Sequence, residues 1–333
     1  MTTEEKTHVL LLEDLSDELL KRFQAAADPC FDISKDQAQT DYQILIGGRL
    51  KEEVLIQNPR LHSAIIPWAG IPESYHKLLS QEKYGHIVPH NCHFHAELVA
   101  EYAYAMLLAL AKDLARKDKH LRRGDWRPRY GGSRALRLVG KKVLILGYGA
   151  IGREIGRLCR LLDMDVSATR RSVAEPLADG PVTVYPGDQM TSLFPECDVL
   201  VNVLPHTPET EGVIGEAELA LLKPMALLIN VGRGKTIDET ALYDALASRR
   251  IHGAALDVWY NYPDPKEPST RAVTHAANLP FYELDNVLMS PHNSAALYEN
   301  EHHEYRIDAL AAMLNAFAAT GELPNRVDLK RGY

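Results

Sequence analysis

At 333 residues, 46% hydrophobic and 25% charged, the chain has the composition of a soluble globular protein with room for two domains of ordinary size. A formal net charge of −8 and a pI near 6.0 argue against a nucleic-acid or anionic-membrane partner, which would want a basic face. No apolar run approaches the ~20 residues that span a bilayer. The stretch from Met1 to Thr7 is polar and acidic, unlike a secretory signal. The four cysteines, Cys30, Cys92, Cys159 and Cys197, form no C-x-x-C pair, so a reduced, cytoplasmic protein is expected.

Along the chain, short apolar runs alternate with helical patterns. Val9–Leu12 predicts a strand, Asp17–Ala27 a helix, Tyr42–Ile46 a strand, Lys51–Gln57 a short helix and Ala64–Trp68 a further strand. Runs buried on both faces suit a parallel sheet covered by helices. In Glu97–Lys117, the residues Leu98, Ala100, Ala103, Met106, Leu107, Leu110 and Leu114 recur at helical spacing. One long helix, able to connect two lobes, is expected there. From Lys142 onward, strands are expected at Val143–Leu146, Val166–Thr169, Val199–Leu204, Ala226–Asn230, Gly253–Leu256 and Val287–Met289. Alternating β and α units of this kind make a doubly wound sheet. The last helix, near Asn293–Ala319, is too long for another crossover and is expected to fold back onto the first lobe.

The run Val143–Leu146 leads into Gly147, Gly149 and Gly152, spaced Gly-x-Gly-x-x-Gly, and then into an amphipathic helical pattern. A glycine triplet that ends a strand and opens a helix is a dinucleotide fingerprint. Gly147 allows the tight turn, Gly149 the close approach of a pyrophosphate, and Gly152 the packing of helix on strand. The amides at Ala150, Ile151 and Gly152 open the helix and hold phosphate. About 20 residues on, NAD-binding proteins place a carboxylate against the ribose hydroxyls. Here the strand ends in Arg170, Arg171 and Ser172. Two guanidiniums and a hydroxyl suit a 2′-phosphate, so NADP(H) is preferred, with NAD(H) possible if the turn is merely solvated.

Further segments complete a pattern: Val201–Thr210 with Leu204, Pro205, His206 and Thr210; Leu228–Gly234 with Val231, Gly232 and Arg233; Gly253–Val258 with Asp257; and Ser290-Pro291-His292. Together with the glycine turn they resemble the D-isomer-specific 2-hydroxyacid dehydrogenases, from about Pro59 to the C-terminal Leu323–Tyr333. The resemblance implies two doubly wound parallel-sheet α/β domains with the active site in the cleft. One is a flavodoxin-like substrate lobe, residues 1–110 plus 294–333; the other is a Rossmann nucleotide lobe, residues 111–293. It implies that Arg233 pairs with a substrate carboxylate, that His292 exchanges a proton with the 2-oxygen, and that Asp257 and the backbone near Val231 hold the nicotinamide carboxamide. It also places the loop Ala69, Gly70 and Ile71 on the substrate carboxylate, with Leu204, Pro205, His206, Thr210 and Gly232 beside the cofactor. A homodimer is expected, with Arg122–Tyr130 and its Trp126 offering an interface segment.

The pattern is broken at Tyr262. Most relatives carry there, five residues after the aspartate, a glutamate that charges the histidine; this chain carries a phenol. A carboxylate stabilises imidazolium, whereas a phenol supplies no charge at neutral pH. Tyr262 therefore joins Arg233 and His292 as a candidate catalytic residue, with Glu267 and Glu283 as distant alternative sources of charge. The segment Asp257–Pro265 is locally similar to formate dehydrogenases, but His95 replaces the asparagine those enzymes place before Val99-Ala100-Glu101. His95 is read as substrate-facing or as loop packing. His90, Cys92 and His93 are competent metal ligands, but their spacing matches no zinc motif and no metal is expected. The leading expectation is an NADP(H)-dependent oxidoreductase moving a hydride between the nicotinamide and a small 2-oxo or 2-hydroxy acid. The alternatives are a dehydrogenase for a formate- or phosphite-like acid, and a dinucleotide-binding sensor.

Overall fold

The computed structural model describes residues 6–264, 266–297 and 300–329, so Pro265 and the last four residues of the resembling stretch lie outside the described residues. It divides into two compact units, one running to His95 and resuming at Ala296, the other comprising Ala96–Ala295.

The first unit is built on strands β1 (Thr7–Leu11), β2 (Phe31–Ser34), β3 (Ile44–Ile46), β4 (Ser63–Ile66) and β5 (Val88–Asn91). All are parallel, in the order β2-β1-β3-β4-β5, with Val9 opposite both Ile33 and Ile44. Alternate strand residues feed two cores. Val9, Ile44, Ile46 and Ile65 pack with Phe23, Ile307, Leu310 and Leu314, while Leu10, Leu45, Ala64 and Ile66 pack with Tyr42, Tyr75 and Leu78. The helix Asp17–Ala26 starts where the Ser16 hydroxyl accepts from the Leu19 amide at 3.2 Å, with Asp17 and Glu18 complementing the helix dipole. It packs against the final helix, Asn300–Thr320, and Arg22 pairs with Glu304 at 2.8 Å and Asp308 at 2.9 Å.

The second unit carries β6 (Lys142–Leu146), β7 (Asp165–Arg170), β8 (Leu177–Asp179), β9 (Val182–Pro186), β10 (Val199–Asn202), β11 (Leu227–Asn230), β12 (Gly253–Leu256) and β13 (Val287–Met289). Their order is β13-β12-β11-β10-β6-β7-β9-β8, parallel except for β8, which turns back on β9. Strand order reverses between β10 and β6, the switch point at whose carboxyl end open α/β sheets bind ligands. The central strands β10, β11 and β12 are buried along their whole length, which is why they read as unbroken apolar runs.

Several elements depart from the sequence expectation. β2, β5, β8, β9 and the helix Glu73–Leu79 were not anticipated. β2 and β5 are edge strands whose residues are partly polar, and β5 contains Pro89, which an edge tolerates because no ladder bond is lost there. The long helix is two, Ala96–Ala111 and Leu114–Leu121. The break is at Asp113, whose φ of 57° is left-handed and whose carboxylate takes the Arg116 Nε–H at 2.8 Å. The first of these helices lays Val99, Ala103, Met106 and Leu107 into the core around Val143, Ile145 and Ile155. It therefore belongs wholly to the second unit, whose boundary falls at His95/Ala96 and not near residue 110. The last helix is described from Asn300, and Asn293 and Ser294, expected in its first turn, are instead held by Asp257 in a turn after His292.

Candidate active site

The glycine turn joins β6 to the helix Ala150–Leu161. Gly147 has a φ of +95°, a conformation L side chains rarely adopt, and its amide and that of Tyr148 both donate to the Thr169 carbonyl, at 3.1 and 2.9 Å. A Cβ on Gly152 would lie 2.3 Å from the Gly147 carbonyl oxygen, so helix and strand approach only because that atom is missing. A Cβ on the exposed Gly149 would meet nothing within 4 Å. Steric crowding thus explains Gly152 but not Gly149, and open space at a helix-opening glycine fits a phosphate approaching amides that have no carbonyl one turn earlier. At the end of β7, Arg170, Arg171 and Ser172 are exposed. Arg171 helps hold the Glu209 carboxyl below its ordinary pKa, behind the stronger effect of the Thr207 hydrogen bond. The basic turn and the loop after β10 are therefore neighbours.

That loop is fixed by its own polar groups. The Thr210 hydroxyl donates to the Pro205 carbonyl at 2.6 Å and accepts from the Thr207 amide at 2.8 Å, leaving Leu204 and Pro205 half-buried and His206 exposed. Beneath it lies a buried network that the sequence reading passed over. Asn202 Nδ2 donates to Asn230 Oδ1 at 3.0 Å and to Thr236 Oγ1 at 2.7 Å, and Asn202 Oδ1 accepts from the Leu204 amide at 3.2 Å. Asn230 Oδ1 accepts from the Gly232 amide at 3.2 Å, and Thr236 donates to the Arg233 carbonyl at 2.7 Å. A Cβ on Gly232 would come within 2.7 Å of the Leu204 carbonyl oxygen, and one on Gly234 within 2.3 Å of the Trp259 carbonyl oxygen. Arg233 is thus an exposed side chain on a backbone locked from both sides. One signal was available: an asparagine ends both β10 and β11, where an apolar residue would continue the core.

Asp257 follows β12 and is 0% exposed. Its Oδ1 accepts from the Ser290 hydroxyl at 2.5 Å and the Asn293 amide at 3.0 Å, and its Oδ2 from the Ser294 amide at 3.1 Å. Tyr102 completes the chain at 2.8 Å from Ser290 Oγ, and Trp259 Nε1 donates to the Ser290 carbonyl at 2.7 Å. Asp257, which the resemblance assigns to the nicotinamide carboxamide, also anchors the turn that carries His292 through both of its oxygens. His292 has a φ of 55°, left-handed and costly for a residue with a Cβ.

The rings of Tyr262 and His292 are 5.4 Å apart and tilted by 57°. The Tyr262 oxygen accepts from the Trp259 amide at 3.0 Å, and the residue as a whole is 48% exposed. Burial pushes the Tyr262 hydroxyl above its ordinary pKa, against the opposing pull of the Trp259 amide and Arg233, so it stays a phenol at neutral pH. His292 is held below the ordinary histidine value by desolvation first and by Arg233 second, with Asp257 opposing. Arg233 therefore acts on both rings, and the three candidate catalytic residues come together from separate strand ends. Glu267 and Glu283 are not among the charges bearing on His292.

The remaining assignments lie in the first unit. The Ala69 carbonyl accepts from Asn91 Nδ2 at 2.9 Å, and Gly70 and Ile71 are half-buried in the same loop. His95 sits edge-on to Phe94, with ring centroids 5.2 Å apart, and Phe94 in turn contacts His302 at 5.1 Å. His90 Nδ1 donates to the Pro324 carbonyl at 2.8 Å, and Cys92 is buried with its thiol pushed up to about 11. Among the described residues, no three His, Cys, Asp or Glu side chains converge as a metal site would need.

Comparison with known proteins accords with this geometry. Residues 104–294 match the family model described as D-isomer specific 2-hydroxyacid dehydrogenase, NAD binding domain. The chain is 30% identical to a glyoxylate reductase of Pyrococcus furiosus over 84% of its own length and 79% of the relative's. It is 35% identical to the D-3-phosphoglycerate dehydrogenase of Escherichia coli over 60% of its length, which spans about half, 46%, of that relative. Its fold matches a crystal structure of a D-isomer specific 2-hydroxyacid dehydrogenase from Xanthobacter autotrophicus Py2 in complex with NADPH and MES, with a TM-score of 0.75 at 23% identity, covering 99% of this chain and 100% of that one. The chain belongs to the D-isomer specific 2-hydroxyacid dehydrogenases, oxidoreductases that depend on a pyridine nucleotide.

Proposed function

We propose that this protein is an NADP(H)-dependent reductase of small 2-oxo acids, working reversibly on the matching 2-hydroxy acids. The observation that carries the reading is the convergence of Arg233, Tyr262 and His292 in the unit that holds the glycine turn. Bound there, the nicotinamide supplies or accepts the hydride. Arg233 offers a planar, two-pronged donor for the substrate carboxylate and polarises the adjacent carbonyl. His292 passes the proton to, or takes it from, the 2-oxygen. Ala69, Gly70, Ile71 and His95 of the first unit complete the assignment on the substrate side, and Leu204, Pro205, His206, Thr210, Val231 and Gly232 on the cofactor side.

The exposed Arg170, Arg171 and Ser172 support the preference for NADP(H), since a carboxylate at that strand end would repel a 2′-phosphate. The NADPH-bound Xanthobacter autotrophicus structure points the same way. Exposed Leu114, Leu121, Trp126 and Tyr130 suit a homodimer interface, and four scattered cysteines with no C-x-x-C pair suit a cytoplasmic setting. The test is NADPH and NADH consumption over a panel of 2-oxo acids, with formate and phosphite assayed in reverse. The expected result is faster turnover with NADPH, and a shift of at least about tenfold toward NADH in Arg170→Asp, the worth of one charge-assisted contact. A parent enzyme that prefers NADH would sink the cofactor assignment, and turnover of formate or phosphite alone would sink the substrate assignment.

A further inference from the structure

The His292 ring has a positive neighbour in Arg233, a buried negative one in Asp257 and an aromatic one in Tyr262. Asp257 is already committed to the Ser290 hydroxyl and to the amides of Asn293 and Ser294, so it fixes the histidine's backbone and does not contact the ring as a counter-ion would. What lies against the ring is Tyr262, and Tyr262 is itself pinned. Its oxygen accepts from the Trp259 amide, Trp259 Nε1 is bonded to the Ser290 carbonyl, and the Trp259 carbonyl closes over Gly234 beside Arg233. The phenol ring is therefore oriented by the same strand ends that carry the arginine and the histidine.

We propose that Tyr262 is a positioning residue that holds His292 by ring contact in place of a carboxylate, making the histidine a donor that must take its proton from solvent before each reduction. The inference rests on the reading of His292 as the proton-transfer group. Reduction of a 2-oxo acid adds a hydride to carbon and a proton to oxygen. If that proton leaves an imidazolium, a neutral imidazole remains and is recharged from water. If it left a neutral imidazole, an imidazolate would form, and the Tyr262 oxygen is engaged by the Trp259 amide while its ring, not its hydroxyl, is what stands against His292. A carboxylate partner stores the cation ahead of the reaction; Tyr262 does not. Desolvation and Arg233 both disfavour the cation, so the reductive rate should fall as pH rises through a His292 midpoint that lies below the ordinary histidine value. Oxidation of the 2-hydroxy acid, which needs the neutral ring, should hold up over the same range.

The test is a site-resolved NMR titration of the whole chain with ring-labelled histidine, the His292 resonance being identified by its loss in His292→Asn. The expected result is a midpoint below the ordinary value in the parent and in Tyr262→Phe, and one raised by at least about one pH unit in Tyr262→Glu. The basic limb of reductive kcat/KM should move with it. Tyr262→Ala, which removes the ring, should lower kcat by about tenfold or more through misplacement of the imidazole, with Tyr262→Phe restoring most of it. An unmoved midpoint in Tyr262→Glu, a raised one in Tyr262→Phe, or a Tyr262→Ala protein as fast as the parent would overturn the proposal. The titration needs no substrate, so it separates failure here from failure to find a 2-oxo acid that turns over.

Discussion

The glycine turn after β6 and the histidine turn after β13 sit in one unit and are built on opposite principles. In the first, backbone does the work: a positive φ at Gly147, a missing Cβ at Gly152 and open space over Gly149. In the second, side chains do it: Asp257 ties down two amides and a hydroxyl so that one imidazole stands beside one phenol and one guanidinium. A backbone site has few chemical solutions, so its sequence is nearly its structure. A side-chain site tolerates exchange of partners, and its chemistry changes with them.

The sharpest way to break this contrast is His292→Asn, which keeps a residue tolerant of the left-handed backbone and removes only the ring proposed to carry the proton. Turnover should drop by about 10²–10⁴, while NADPH affinity, read by fluorescence titration, stays near that of the parent. Loss of both would mean the two turns are not separable. Next in size, Gly152→Ala forces a Cβ toward the Gly147 carbonyl, at about 1–3 kcal/mol for overpacking, and should lower both melting temperature and cofactor affinity. Gly149→Ala should spare the melting temperature and weaken only binding, because its Cβ meets no protein atom. Equal thermal losses in the two alanine variants would contradict the division between packing and ligand approach. The smallest effect belongs to Asp238→Ala, which removes the cap accepting the Ala241 amide at 2.8 Å. Stability should fall by about 1 kcal/mol with kinetics of both turns unchanged.

The same contrast explains what was legible in the sequence. β10, β11 and β12 announce themselves because central parallel strands are apolar throughout, and the glycine spacing locates the nucleotide turn to the residue. Edge strands such as Val88–Asn91 carry polar residues and a proline, so periodicity misses them. The helix break at Asp113 is invisible to hydrophobic spacing because Leu114 continues the period across it. Arg233, Tyr262 and His292 stand out in the sequence and lie together in the structure, but the asparagines that lock Arg233 and the Ser290–Tyr102 chain behind Asp257 do not stand out. Their partners lie 28 to 188 residues away in sequence, a separation that no local pattern encodes.

The left-handed backbone at His292 bears on how such a protein drifts. Glycine would occupy that position at no conformational expense, and asparagine at little; histidine costs about 1–3 kcal/mol there. In a protein that only sensed a dinucleotide, nothing would oppose replacement by the easier residue, and the fold would gain stability by it. On the proposed reading, a histidine in a conformation it disfavours, anchored by a fully buried carboxylate, is where the chain gives up stability to hold one ring in place.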